Sequence, residues 1–277
     1  MLKHSLLTAC LVLSGAVLFA QATPSPSKND EQSKRMAADA HPVFEVVTIK
    51  PSEPGDRLRW WGEKGRHVFM NNARVVDLLE IGYELHPKMI VGGPEWIEKE
   101  KFDVDGIPNL DGTPSDRQAM LMFQQLLPDR FKMVFHWEER ELPAYALTVA
   151  NDGPKIKKSA AESDEFQDFL IRRPGVLVVK NMTMLDFANG MQRAIMDRPV
   201  VDQTGIKGSY DFTLNWTPDE SQFIPLGWRF TPPSADDPAA QPNLFTAIQT
   251  QLGLKLESVK TMVRVLVIDH IEEPSAN

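Results

Sequence analysis

One cysteine, Cys10, stands in the chain, and it lies in the N-terminal apolar run. Everything after that run therefore lacks a thiol for a disulfide, a thiolate nucleophile or a cysteine metal ligand. Histidine is sparse as well, six in 277 residues, and no H-E-x-x-H spacing occurs. The G-x-S-x-G elbow, the P-loop and the G-x-G-x-x-G turn are also missing, which removes the familiar signatures of serine hydrolases, NTPases and dinucleotide enzymes. Positive charge is in short supply: 30 Lys and Arg against 38 Asp and Glu give a net charge of −8. A nucleic-acid partner wants a basic face, so this class is excluded. The densest basic cluster, Lys155, Lys157 and Lys158, is followed by Glu162, Asp164 and Glu165, and reads as a solvated linker.

Long apolar runs are lacking too. Residues 6–19 fall short of the roughly 20 needed to span a bilayer, and the mature chain has no transmembrane candidate. Lys3 and His4 precede that run, and Ala20-Gln21-Ala22 follows it, which is the layout of a signal peptide cut after Ala22. Leu7-Thr-Ala-Cys10 also fits a lipobox. Only about five uncharged residues precede it, though, so a lipoprotein anchored at Cys10 is disfavoured. The expected address is export, periplasmic or extracellular. Residues 23–42 are Pro, Ser, Lys, Asp and Ala with almost nothing apolar, a flexible leader by composition.

What is present is a pattern written twice. Asn72-Ala-Arg-Val-Val-Asp-Leu-Leu-Glu-Ile-Gly-Tyr83 is answered by Asn181-Met-Thr-Met-Leu-Asp-Phe-Ala-Asn-Gly-Met-Gln192. Lys101-Phe-Asp-Val104 is answered by Ser209-Tyr-Asp-Phe212, and Phe131-Lys-Met133 by Leu254-Lys-Leu256. Similarity of this kind sets the architecture. It predicts an α+β fold with mainly antiparallel sheets, built by internal duplication of a β-α-β-α-β-β unit. The first repeat takes residues 43–158, a connector 159–174, and the second repeat 175–274 with a Pro- and Asp-rich surface insertion at 218–242.

Within each unit the signals are local. Residues 43–49 are β-branched and stop at Pro51. A helix capped by Asn71 or Asn72 runs to about Leu85, with Val75, Leu78, Leu79 and Tyr83 on one face. Thr113-Pro-Ser-Asp116 opens a second helix through Leu127. Residues 131–138 and 144–150 read as a hairpin around Glu141-Leu-Pro143, and residues 254–259 and 263–271 as its counterpart. The second half offers strands at 176–180 and 210–216 and helices at 184–196 and 244–252, the last capped by Gly253. Tyr83, Phe102, Phe131, Phe187, Tyr210 and Leu252 are the expected core.

Candidate chemistry is thin. On a strand, alternate residues share a face, so His136 pairs with Glu138 and His270 with Glu272, a weak set of metal-ligand candidates. A gatekeeping edge explains the same residues. His67 and His86 have no acidic or nucleophilic partner close in sequence. Asp103 and Asp211 hold equivalent places in the repeats, where a bond to a turn N–H is the simplest role. Trp60, Trp61, Trp228 and Phe230 could make an exposed stacking surface for a glycan or protein. Trp96 and Trp216 read as anchors. No residue is assigned a catalytic role and no cofactor is called for.

Phe44-Glu-Val-Val-Thr-Ile-Lys-Pro51, Gly92-Gly-Pro-Glu-Trp96, Leu126-Leu-Pro-Asp-Arg-Phe-Lys132, Glu141-Leu-Pro-Ala-Tyr-Ala-Leu147 and Pro199-Val-Val-Asp-Gln-Thr-Gly205 follow one another in order. So do Tyr210-Asp-Phe-Thr-Leu214, Leu252-Gly-Leu-Lys-Leu-Glu257 and Val265-Leu-Val-Ile-Asp269. With these motifs the chain resembles the "soil-associated" family of exported bacterial proteins, over nearly all of 44–274. The resemblance implies an exported protein, with some relatives fused to membrane sensor-peptidase modules, and it brings no catalytic residues. The leading expectation is a non-catalytic extracytoplasmic module that binds an envelope component, glycan or protein. The alternative is a hydrolase or metal-dependent enzyme working from a His/carboxylate face.

Overall fold

The computed structural model describes residues 35–55, 59–160, 167–228 and 241–274. The signal-peptide and lipobox expectations, and Phe230, lie outside the described residues. The first half runs β1 (Phe44–Pro51), β2 (Trp60–Lys64), β3 (His67–Arg74), α1 (Val75–Gly82), β4 (Ile90–Gly92), the single turn α2 (Trp96–Lys99), β5 (Lys101–Pro108), α3 (Asp116–Phe131) and β6 (Val134–Val149). The second runs β7 (Lys157–Lys158), β8 (Asp168–Arg173), β9 (Val176–Met182), α4 (Met184–Ala194), β10 (Val200–Asp202), β11 (Tyr210–Asn215), α5 (Leu244–Ala247) with a π turn at Ile248–Leu252, and β12 (Leu254–His270).

These elements make an α+β fold of three four-stranded sheets. One has the order β1-β5-β3-β2 and another β7-β11-β9-β8, both antiparallel throughout. Exchanging β1, β2, β3 and β5 for β7, β8, β9 and β11 turns the first order into the second. The third sheet is β10-β6-β12-β4. Its centre is β6 against β12, antiparallel from Val149 opposite Leu254 to Val134 opposite His270. Each short flanking strand joins the long strand of the other half in parallel: β4 on Leu266–Ile268 of β12, and β10 on Tyr145–Leu147 of β6. This cross-pairing makes one body of the two halves, and residues from Arg35 onward form one compact unit.

The expected hairpins at 131–150 and 254–271 are therefore overturned. Each is one uninterrupted strand, and the two pair with each other. The proline that suggested a turn, Pro143, lies opposite Lys260 in a stretch where β6 has a neighbour on one side only. A sheet tolerates a missing N–H there.

Helix boundaries also shift for local reasons. Asn72 does not cap α1, because its backbone is left-handed (φ 55°) and still belongs to β3. The N-cap is Arg74, whose backbone N–H donates to Asp77 Oδ2 at 2.7 Å. In α4 the same job falls to Thr183 and Asp186. Ser115 caps α3 with Gln118 as reciprocal partner, and α3 passes Pro128 to end at Lys132 in left-handed backbone. Asp103 and Asp211 are the second half of this local logic. Asp103 Oδ1 accepts the Asn72 N–H, and Asp211 Oδ1 accepts the Asn181 N–H, both at 2.8 Å; Asn181 is also left-handed, φ 52°. Asparagine tolerates that conformation better than most residues.

Two apolar cores result. Leu78 and Leu79 of α1, with Met122, Phe123 and Leu127 of α3, fill the space between the first sheet and Val265 and Leu266 of β12. Phe187 and Met191 of α4, with Ile248 and Leu252, do so between the second sheet and Leu147 of β6. Each such side chain contributes about 1.5–3 kcal/mol by leaving water. Phe102, Phe131, Phe187 and Leu252 are buried as expected. Tyr83 and Tyr210 are only half-buried; the Tyr210 hydroxyl donates to the Lys207 carbonyl, and Tyr83 packs edge-on against Phe135 and Trp137. Residues 35–42 are held to α3: the Met36 N–H donates to the Thr113 carbonyl, and the Gln118 side chain donates to the carbonyls of Ala37 and Ala40.

Candidate functional site

Strand alternation divides the first sheet into two faces. Val68, Met70, Val104 and Ile49 point into the core. By the pairing register, Trp60 and Gly62 of β2, His67 and Phe69 of β3, Asp103 and Asp105 of β5, and Thr48 and Lys50 of β1 share the other face. Trp60 is 65% exposed. Gly62 lies between Trp60 and Phe69, and a methyl group there would sit 3.7 Å from the Phe69 ring and 3.8 Å from the indole nitrogen. Both are ordinary van der Waals distances, so the two side chains flank this position closely without requiring glycine there. Beside them His67 Nδ1 lies 2.7 Å from Asp105 Oδ1, both groups about half exposed. Asp103 accepts from the Ser52 hydroxyl at 2.7 Å. A shallow hollow of about 170 Å³ is lined by Val46, Thr48, Lys50, His67 and Asp105. The face offers ring surface, a histidine, hydroxyls and charges of both signs.

The larger concavity, about 360 Å³ between β1 and α3, is lined by Phe44, Val46, Val47, Met122, Leu126 and Arg130. Arg130 donates to the Val47 carbonyl there at 3.0 Å, so the one cation on its wall is already engaged with the strand edge.

Of the aromatic candidates, Trp60 and Trp61 diverge. Trp61 turns to the other face of β2 and packs edge-on against Phe123 in the core, with ring centres 6.5 Å apart. Trp228, 37% exposed, stacks on the buried Phe223, which in turn stacks on Trp216. Trp228 follows the 3-10 turn Ile224–Leu226, and Arg59 donates to the Pro225 carbonyl at 2.9 Å. One arginine therefore joins the β2 segment to the Trp228 segment. Trp96 and Trp216 are anchors as expected: Trp96 stacks on Phe131, and Trp216 donates to Gln222 at 2.7 Å.

The His/carboxylate candidates fall on the shared sheet and do not meet as a set of four. His136 bonds Asp269 across the strands at 2.9 Å, Glu138 takes Arg140 at 2.8 Å, and His270 takes Glu272 at 2.9 Å. All are exposed. Among the described residues no group of three or more His, Cys, Asp or Glu is placed to hold a metal ion. His86 is buried, accepts from the Lys88 N–H, and has its pKa pushed down to about 4 by burial and by the charge of Lys88.

Sequence reading missed Phe69 and the His67–Asp105 pair. The partners are 38 residues apart, so proximity in the chain gives no hint of them. The usable signal was alternation: His67, Phe69 and Asn71 against buried Val68 and Met70, and Asp103 and Asp105 against buried Phe102 and Val104.

A family model described as a protein of unknown function (DUF3738) matches residues 76–271. The chain belongs to that family. No curated protein and no solved structure matches it. Among the described residues no helix is long and apolar enough to cross a membrane.

Proposed function

We propose that this protein is an exported, extracytoplasmic binding module whose working surface is the outer face of the first sheet. The observation that carries the reading is the exposed Trp60 indole on the outer face of the first sheet, with Phe69, Val46 and the His67–Asp105 pair on the same face. An exposed indole on a polar surface is hydrophobic area kept out of the core, and such area marks an interaction site. Ring surface flanked by hydroxyl, imidazole and carboxylate groups suits an envelope glycan, whose C–H faces stack and whose hydroxyls both donate and accept. The address rests on the N-terminal run and on the resemblance of the motifs to those of the soil-associated exported family.

The chain is also read as an internal duplication. Interchangeable strand orders, the crossed pairing of β4 and β10, and the twin Asn–Asp contacts at Asn72 and Asn181 support this. One copy has kept or gained the binding face, and the other serves as scaffold.

A hydrolase is the competing reading, favoured by the 2.7 Å His67–Asp105 contact. The neighbouring hydroxyl of Ser52 donates to Asp103 and not to His67, so no activated nucleophile is formed. Isothermal titration with muro-, chito- and cello-oligosaccharides tests the proposal. Binding lost in Trp60→Ala but kept in His67→Ala supports the module. Turnover of a probe that His67→Ala abolishes supports the hydrolase, and silence towards all three classes removes the glycan reading.

A further inference from the structure

Arg59 directly precedes β2, and its side chain turns inward to 17% exposure. One guanidinium nitrogen contacts Asp77 Oδ1 and stands 3.5 Å from Glu80 Oε2, both on α1; the other donates to the Pro225 carbonyl at 2.9 Å. Three segments thus converge on one cation: the strand that starts with Trp60, the first turns of α1, and the 3-10 turn before Trp228. Trp60 and Ile224, on either side of this contact, are 65% and 59% exposed. The carboxylates of Asp77 and Glu80 are buried to 3% side-chain exposure, and among the described residues Glu80 Oε1 has no hydrogen-bond partner. A buried carboxylate with one oxygen unsatisfied is poised to take a proton.

We propose that Arg59 is a latch holding the Trp60 strand to the Pro225 turn, and that protonation of Glu80 loosens it. Burial, then the charge of Asp77, pushes the Glu80 carboxyl up to about 7, although Arg59 and Arg74 pull it down. Burial also works to raise Asp77, but the hydrogen bond from Arg74 and the charge of Arg59 outweigh it, so Asp77 stays below its ordinary value. The remaining charge facing Glu80 is Arg193 of α4, which itself faces Glu84, Asp116 of α3 and Asp186. Glu98 of α2 acts on Arg74. Because a seated Arg59 favours ionised Glu80, linkage requires ionised Glu80 to favour a seated Arg59. Raising pH through about 7 therefore tightens the latch, and acid leaves Asp77 as the one carboxylate holding Arg59 beside the Pro225 carbonyl.

Hydrogen exchange of the full mature chain, followed by mass spectrometry well below and well above pH 7, tests this without any ligand, so its outcome is separate from that of the glycan titration. After correction for intrinsic rates, the segments 60–64 and 224–228 should exchange at least about threefold faster on the acid side. Arg59→Ala should exchange fast at both pH values, and Glu80→Gln should lose the pH response. Equal protection of both segments across pH in the natural chain overturns the latch, as does a Glu80→Gln variant that keeps the full response. If Glu80→Gln fails to fold, the profile of the natural chain decides alone.

Discussion

The first and second sheets share one strand order, and their outer faces carry different side chains at corresponding places. Phe69 answers to Val178, Gly62 to Leu170, His67 to Val176, Asp105 to Thr213, and Trp60 to Asp168, by register from Asn72 and Asn181. Every aromatic ring and the only His–carboxylate pair of this set sit in the first half. Below the faces the halves stay alike: helix caps with an aspartate at N3, asparagines in left-handed backbone, and paired aspartates holding their N–H groups. Fold-bearing residues are shared and surface-bearing residues are not, which is how a scaffold half and a working half would differ.

The widest lever on that comparison is the core. Phe131 and Phe187 are both fully buried, one in each half. Phe131→Ala and Phe187→Ala should each cost about 3–5 kcal/mol. Because β6 and β12 belong to one sheet, each variant should unfold in a single urea transition; two separate transitions would break the picture of one body.

Next in size is a difference between the helices. Glu80 in α1 is replaced by Asn189 in α4, so only the first half carries this buried titration. Glu80 is raised from 4.5 to about 7, so its contribution is present below pH 4.5 and lost as pH rises through 7, about 3 kcal/mol in all. His86, lowered from 6.5 to about 4, runs the other way: its contribution is present above 6.5 and lost as pH falls through 4. Between 4.5 and 6.5 the two slopes oppose. Glu80→Gln should unmask the histidine, giving a stability that rises with pH in urea melts over that window.

Smaller, and a test of likeness, are the twin aspartates. Asp103→Ala and Asp211→Ala should each cost about 1–3 kcal/mol by leaving a backbone N–H without its acceptor. Similar losses sharpen the equivalence of the halves, and a large inequality blunts it. Smallest for stability is the face itself. Trp60→Ala and Leu170→Ala, at corresponding surfaces, should each change the unfolding free energy in urea by less than about 0.5 kcal/mol.

Much of this was legible in the chain. Helix α4, the Gly253 cap, the strands β1, β9 and β11, and the α+β class follow from periodicity and turn residues. The long strands were not, because Pro143 reads as a turn in sequence, and only the sheet reveals that it has a neighbour on one side alone. Nor was the site: Trp60 and Trp61 look equivalent as neighbours, yet alternation sends one to water and the other to Phe123. His67 and Asp105 meet only through the pairing of β3 with β5.

The most direct measurement is backbone amide shift mapping by NMR while muro-, chito- and cello-oligosaccharides are titrated onto residues 23–277. Shifts should gather on Trp60, Gly62, His67, Phe69 and Asp105, with Leu170, Val176 and Val178 unmoved, and should be lost in Trp60→Ala. Shifts gathered on the second face, or in the groove between β1 and α3, would contradict that placement of the binding face.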